Sequence, residues 1–255
     1  MILEFHKYQG TGNDFIMIDD RTINLTPNAN TISRLCNRKM GIGADGLILL
    51  RNHTELDFEM IYYNADGSQS LCGNGSRCAV NFAKSLNIVT NKARFLTIDG
   101  IYTATIENEV VSLAMKPIKN VEEKGEIFFI NNGSPHHIIF TNNNDSTNVY
   151  SEGKKIRESA VYHPDGTNVN FVELIGDNTI DVRTFERGVE DETLSCGTGV
   201  TASALAASYK GVKSPVKIKT KGGDLKVAFS KTNNGFKNII LSGPAVLVYQ
   251  GKFSF

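Results

Sequence analysis

Apolar residues recur along this chain in short alternating bursts separated by turn residues. Alternation at a period of two marks half-buried β-strands, and it dominates the first half. Residues 7–19 read as strand, turn, strand, with the turn at Gly10-Thr11-Gly12-Asn13 and the second strand built on Phe15-Ile16-Met17-Ile18. Residues 30–40 have helical spacing instead, with Ile32, Leu35 and Cys36 on one face. Strands are predicted at 47–50 and 58–63, and hairpin-like strands over 93–115 with turns at Asp99-Gly100 and Glu107-Asn108. The polar, turn-rich stretch 117–125 reads as a crossing between domains.

The second half repeats the plan. A strand at 127–130 leads to a polar turn over 131–137. Residues 142–148 read as a surface loop, 151–160 as a short helix, and 168–174 as an alternating strand. Two stretches that are apolar nearly all round, as buried central helices should be, follow Cys72 and Cys196. Each opens on the same tetrad, Cys72-Gly73-Asn74-Gly75 and Cys196-Gly197-Thr198-Gly199. Thr97 lies 25 residues after the first cysteine and Thr220 lies 24 after the second, and both open Gly-bearing β segments. This duplication predicts an α+β protein of two pseudo-symmetric halves, each a curled, mostly antiparallel sheet around a central helix. The halves are expected at 1–116 and 117–243, with the strand at 244–255 returning to the first.

Composition narrows the function classes. The 255 residues are 40% hydrophobic and 21% charged, ordinary for a soluble globular protein. The 27 basic and 27 acidic side chains cancel and no basic run stands out, so a nucleic-acid partner has no electrostatic support. No apolar stretch approaches the roughly 18 residues that span a bilayer. The first residues read as a strand with early charges, so neither a signal peptide nor a membrane is expected, and a cytoplasmic location is. The four cysteines, Cys36, Cys72, Cys78 and Cys196, show no C-x-x-C spacing, so no metal site is expected. Cys36 and Cys78 read as small buried hydrophobes. The match of Gly41-Ile42-Gly43-Ala44-Asp45-Gly46 to G-x-G-x-x-G is rejected, because a helix precedes it and a strand follows, the reverse of a dinucleotide loop.

The paired tetrads carry the chemistry. A helix N-terminus offers free N–H groups and partial positive charge, which lower a thiol's pKa and hold a carboxylate. One such cysteine is as readily an inert buried thiol; packing does not account for the same tetrad at both repeated positions. Inversion at a carbon bearing an acidic hydrogen does. One thiol removes the proton from one face and the other delivers a proton to the opposite face. Helix N-termini would take up the charge that develops on the neighbouring carboxylate, with no pyridoxal lysine, metal or other cofactor required.

These residues carry a resemblance. The chain resembles the diaminopimelate epimerase family over nearly its full length, on specific motifs. They are Gly10-Thr11-Gly12-Asn13-Asp14-Phe15, Gly41 to Gly46, Asn64-Ala65-Asp66-Gly67, Cys72 to Cys78, Thr167-Asn168-Val169-Asn170-Phe171, and Phe185-Glu186-Arg187-Gly188 through the second tetrad. The resemblance implies a cofactor-independent isomerase whose active site lies in the cleft between the halves. Cys72 and Cys196 would be the acid–base pair interconverting LL- and meso-diaminopimelate, in lysine and peptidoglycan precursor synthesis. By the same carry-over, the amides of Gly73, Asn74, Gly197 and Thr198 hold the reacting carboxylate. Asn13, Asn64, Asn168, Glu186 and Arg187 bind the other amino and carboxyl groups of this small-molecule substrate. His136 and Glu186 would tune protonation, and Tyr249 would lie at the contact of a homodimer.

Plainer readings stand beside these roles. Asn13 could be a turn residue, Glu186 and Arg187 a solvated ion pair, His136 a partly exposed strand histidine, and Tyr249 core. Two positions depart from the family pattern. Gly46 replaces a substrate-contacting glutamine of some members, and Ser134 replaces an asparagine, which would shorten that contact or route it through water. The rival functions are a proline racemase-like or hydroxyproline epimerase-like enzyme, a non-catalytic amino-acid-binding protein, and a thiol redox sensor.

Overall fold

The structure is a computed structural model that describes residues 2–254. Two compact units divide the chain, one of Met1–Leu113 with Gly243–Phe255 and one of Ala114–Ser242.

The first unit contains strands β1 (Ile2–Gly10), β2 (Asn13–Asp19), β3 (Gly46–Arg51), β4 (Phe58–Asn64), β5 (Lys92–Thr97), β6 (Gly100–Glu107) and β7 (Val110–Met115). Helix α1 (Ala29–Cys36) joins β2 to β3, and α2 (Gly73–Ser85) joins β4 to β5. Those two strand pairs are parallel, because a helix carries the chain back to the same end. All other neighbours in the unit run antiparallel, including β1 with the last strand, β17 (Val246–Ser254). The sheet curls so that β1, β2, β3, β4, β6 and β17 all meet α2. Helix α1 covers the other face, packing Ile32 and Leu35 against Ile16, Ile18, Leu47 and Leu49. With both faces covered, β3 reads as a continuous apolar run.

The second unit repeats this topology. Its strands are β8 (Val121–Lys124), β9 (Ile127–Asn131), β10 (Pro135–Thr141), β11 (Asn168–Gly176), β12 (Thr179–Glu186), β13 (Asp191–Thr193), β14 (Val216–Thr220), β15 (Gly223–Thr232) and β16 (Gly235–Pro244). Helix α3 (Val149–Arg157) crosses between the parallel pair β10 and β11, and α4 (Gly197–Ala207) between the parallel pair β12 and β14. The antiparallel pairs β9/β10, β11/β12, β14/β15 and β15/β16 complete it. Every residue of α4 except Thr198 is buried. The sequence reading of two repeated α+β halves around central helices holds.

Four local expectations change. Helix α1 stops at Cys36 rather than near 40. Asn37 takes an extended backbone and its side chain accepts the N–H groups of Lys39 and Met40, offering them an alternative to the helix. The stretch 117–125 contains β8, which pairs with β9. Helix α3 starts at Val149 rather than Ser151, because Asn148 caps it by accepting from the Ser151 N–H. Strand β11 does not alternate: its first five residues are all buried, since α3 packs on one face and α4 on the other. Among the described residues no helix is long and apolar enough to cross a membrane.

Candidate active site

Cys72 is the cap residue of α2. Its backbone is extended (φ −126°, ψ 112°), so its sulfur turns back over the first turn and accepts the Gly75 N–H at 3.3 Å. Gly73 and Asn74 follow as the first helical residues. Asn13, at the start of β2, points its Oδ1 at the same place, 3.5 Å from the Cys72 sulfur and 3.3 Å from the Asn74 Nδ2. Its amide orientation is fixed from behind, because its Nδ2 donates to Asp45 at 2.6 Å. Arg38 bridges Asp45 and Asp14 at 2.7 Å each, and Lys7 reaches Asp14 at 2.9 Å. Burial alone would raise the Asp14 pKa, but the hydrogen bonds from Arg38 and Lys7 overcome it and hold it at about 2. Asn64, the last residue of β4, spends its side-chain hydrogen bonds within its own turn, on Ser68 and Ser70.

In the second unit Cys196 caps α4 with nearly the same backbone (φ −119°, ψ 111°). It is buried, with its sulfur 3.5 Å from the Thr198 hydroxyl. Asn132 ties the β9–β10 turn to this helix start by donating to the Thr198 carbonyl at 2.8 Å. Asn168 opens β11 and joins two loops. Its Nδ2 donates to the Ser134 hydroxyl at 2.8 Å and the Pro135 carbonyl at 2.9 Å, and its Oδ1 accepts the Arg187 N–H at 2.9 Å. The Arg187 guanidinium donates to the Asp165 carbonyl at 3.2 Å, and Glu186 accepts from the Thr193 hydroxyl at 2.9 Å.

His136 lies in β10 and is wholly buried, which overturns the picture of a partly exposed strand histidine in a polar turn. Burial, and then the charge of Arg187, push its pKa down to about 3, so the ring is neutral. Its Nδ1 is 3.1 Å from the Asn170 Nδ2. Asn170 also donates to the His137 carbonyl and accepts from the Thr184 hydroxyl, which fixes its NH2 toward the ring. The His136 Nδ1 is therefore an acceptor and the proton sits on Nε2.

Asn170 and Asp45 were not singled out by sequence reasoning. The signal for Asn170 was available: it stands two residues after Asn168 in a strand, hence on the same face. Of the departures, Gly46 is locked by its neighbours, since a Cβ there would meet the Tyr62 ring at 2.4 Å and the Tyr63 carbonyl at 2.6 Å. Ser134 takes part directly, as the acceptor for Asn168. Tyr249 is 45% exposed on β17, with its ring edge against Phe5. All four cysteines are free thiols. Burial pushes Cys36 up to about 11 and Cys78 up to about 12, as befits inert packing thiols. A cavity of about 730 Å³ in the second unit, beside His137, Phe129 and Tyr162, contains neither capping cysteine. Among the described residues no cluster of three or more His, Cys, Asp or Glu side chains could hold a metal ion.

The fold is shared with a Bacillus anthracis phenazine biosynthesis protein of the PhzF family, at a TM-score of 0.80 and 13% identity over all of both chains. It is shared too with a probable proline racemase from Agrobacterium radiobacter K84, at a TM-score of 0.70 and 16% identity over 99% of this chain and 93% of that one. The class is thus the duplicated α+β fold of these proteins, here with a capping thiol in each repeat. Sequence narrows it further. A profile of diaminopimelate epimerase matches residues 5–119 and 128–248. The diaminopimelate epimerase of Flavobacterium psychrophilum is 51% identical over 254 residues, covering 97% of this chain and 99% of that protein. The chain belongs to the diaminopimelate epimerase family and is an isomerase.

Proposed function

We propose that this protein interconverts LL- and meso-2,6-diaminopimelate by proton transfer between Cys72 and Cys196, without a cofactor. The observation that carries the reading is the matching placement of the two thiols: each stands at the N-cap position of the central helix of its repeat, in nearly the same extended backbone conformation. One thiolate removes the α-proton, and the electron pair left on carbon delocalises into the adjacent carboxylate. The N-terminal amides of α2 and α4, from Gly73, Asn74, Gly197 and Thr198, stabilise that charge as it forms. The other thiol then protonates the carbon from the opposite face. The roles exchange in the reverse direction.

The distal groups of the substrate need acceptors for an ammonium and donors for a carboxylate. Glu186 meets the first need and Arg187, with donors beyond the one given to Asp165, meets the second; Asn13, Asn64 and Asn168 supply neutral amides. The neutral His136 and Glu186 set the proton balance around the thiols. The enzyme works in the cytoplasm as a homodimer that includes Tyr249 in its contact. Purified protein incubated with LL-diaminopimelate, L-proline and trans-4-hydroxy-L-proline, followed by chiral analysis, tests the reading. Meso-diaminopimelate alone is expected. Inversion of either proline in its place would assign the site to the cyclic substrates instead.

A further inference from the structure

The segment 41–46, whose sequence mimics a nucleotide loop, reaches the first thiol through Asp45. That residue is fixed from several sides. Arg38 contacts its carboxylate at 2.7 Å, its N–H donates to the Asp14 carbonyl at 3.0 Å, and the Asp14 N–H donates back to the carboxylate at 3.3 Å. Lys7, buried in β1, pairs with Asp14 at 2.9 Å and donates to the Gly43 carbonyl, which pins the segment to the sheet.

A carboxylate only accepts, so Asp45 takes the Asn13 Nδ2 at 2.6 Å and the Asn13 Oδ1 must face the other way. That oxygen lies 3.5 Å from the Cys72 sulfur. An amide oxygen also only accepts. The contact is therefore a hydrogen bond while the sulfur keeps its proton, and a repulsion between two electron-rich atoms once it is lost. The Asn74 Nδ2 donates to the same oxygen at 3.3 Å, which leaves its second lone pair for the thiol.

The second unit is the internal comparison. Both thiols stand at the N-cap of a central helix, so the helix N-terminus acts on each alike. In the second unit the β9–β10 turn sends Asn132 to the Thr198 carbonyl, at 2.8 Å. The Cys196 sulfur lies 3.5 Å from the Thr198 hydroxyl, a group that can donate to a thiolate as readily as it accepts from a thiol. Two contacts of Cys72 pull the other way. The Gly75 N–H donates to its sulfur at 3.3 Å, but a neutral cap accepts that bond too, as a serine hydroxyl does. Arg77 of α2 is completely buried, with its Nη2 on the Thr11 hydroxyl at 3.3 Å. Its charge acts on Cys78 more than on Cys72, and Cys78 nonetheless stays protonated, pushed up to about 12 by burial.

The remaining charged groups around α2 are engaged elsewhere: Arg51 of β3 with Asp20, Lys252 of β17 with Glu4, and Asp66 with Ser68. Glu59 of β4 points to the face opposite Met60, which meets Ser76 of the helix. His6 and Tyr8 of β1 lie against Phe82, and Tyr102 of β6 donates to Asp99.

We propose that in the substrate-free protein the proton of the thiol pair sits on Cys72, held there by the Asn13 oxygen that Asp45 and Arg38 orient. Cys72 then enters turnover as the acid and Cys196 as the base. Those roles rest on the functional reading above, but the placement of the proton can be tested without turnover.

Infrared spectra of the full chain at pH 7 make the test, because the S–H stretch falls where other protein groups do not absorb. It moves to lower frequency as the S–H donates more strongly. Cys36 and Cys78, pushed up to about 11 and about 12, stay protonated and supply reference bands. Subtracting Cys72→Ala from the wild type should leave a further S–H band, displaced to low frequency; subtracting Cys196→Ala should leave none. Asn13→Ala, which removes the acceptor and no charge, should abolish the Cys72 band or move it to higher frequency. Should that variant not fold, Asp45→Asn, which lets the Asn13 NH2 turn to the sulfur, is expected to do the same. A wild type without a Cys72 band overturns the proposal, as does a Cys196 band of equal strength or a Cys72 band unmoved in the variant. If the bands behave as expected but diaminopimelate is not inverted, the functional reading fails and the proton placement stands.

Discussion

Asn170 holds His136 by its unprotonated nitrogen: the carboxamide Nδ2 lies 3.1 Å from the imidazole Nδ1, and both side chains are fully buried. Its other hydrogen bonds, to the His137 carbonyl and from the Thr184 hydroxyl, leave the carboxamide no freedom to flip. Asn170→Leu orphans all three partners at once. It should cost at least about 3 kcal/mol in urea unfolding, since each buried orphan costs roughly 1–3 kcal/mol. Asn170→Asp replaces the donor with an acceptor, so the proton should move to Nδ1. The imidazole nitrogen shifts would report that move, and an unchanged tautomer would contradict the assignment.

The buried histidines make stability depend on pH. His136 is depressed to about 3 and His137 to about 4, chiefly by burial, so both stay neutral in the native state. The unfolded chain takes up their protons near pH 6.5, so their stabilisation is complete above that value. It is lost as the pH falls toward 4 and then 3. Asp14, at about 2, has its own window: its contribution is complete above the ordinary carboxylate range and lost as the pH falls toward 2. Melting curves of the wild type should therefore decline from about pH 6.5 downward, and His136→Gln should flatten the upper part of that decline. Parallel slopes in the two proteins would refute the histidine contribution.

The two tetrads differ in how tightly they are built. A Cβ on Gly199 would fall 2.4 Å from the Asn170 Oδ1 and 3.2 Å from the Cys196 Cβ. The same addition to Gly75 meets the flexible tip of Ile48 at 3.0 Å and the Cys72 Cβ at 3.4 Å. Gly199→Ala should lower kcat by about a hundredfold, the usual cost of an ångström's misplacement at a reacting centre. Gly75→Ala should cost only a few-fold. Equal losses in steady-state assays would show that Asn170 does not set the start of α4.

Asp45 orients Asn13, and through it the amide oxygen beside Cys72. In Asp45→Asn the Asn13 carboxamide loses its charged anchor and can present its NH2 to the sulfur. A drop in kcat/KM of about tenfold, equivalent to ~1.4 kcal/mol, is expected with little change in melting temperature. Full activity in that variant would remove Asn13 from the site.

Much of the fold was legible because its signals are local. Periodicity located the strands, and the repeated Cys-Gly-x-Gly located both central helices together with their caps. What escaped depended on partners distant in sequence. Strand β11 looked like an alternating strand because Asn168 and Asn170 are polar, yet both are buried and satisfied by the β10 loop and strand. The end of α1 turned on one side chain, Asn37, competing for backbone donors. Within the site, the thiols and the Asn13 turn could be read from motifs. Asp45 could not, because it acts from 32 positions away and inside a segment that mimics a nucleotide loop.

The account stands or falls on two sulfurs addressing opposite faces of one carbon. Turnover of LL-diaminopimelate in D2O, stopped early and analysed by mass spectrometry, measures this directly. Meso product carrying one solvent deuterium at the inverted carbon, with protium kept in the recovered substrate, is the expected result. Product that retains the substrate's own hydrogen, or substrate that washes out as fast as product forms, would mean that a single base serves both faces.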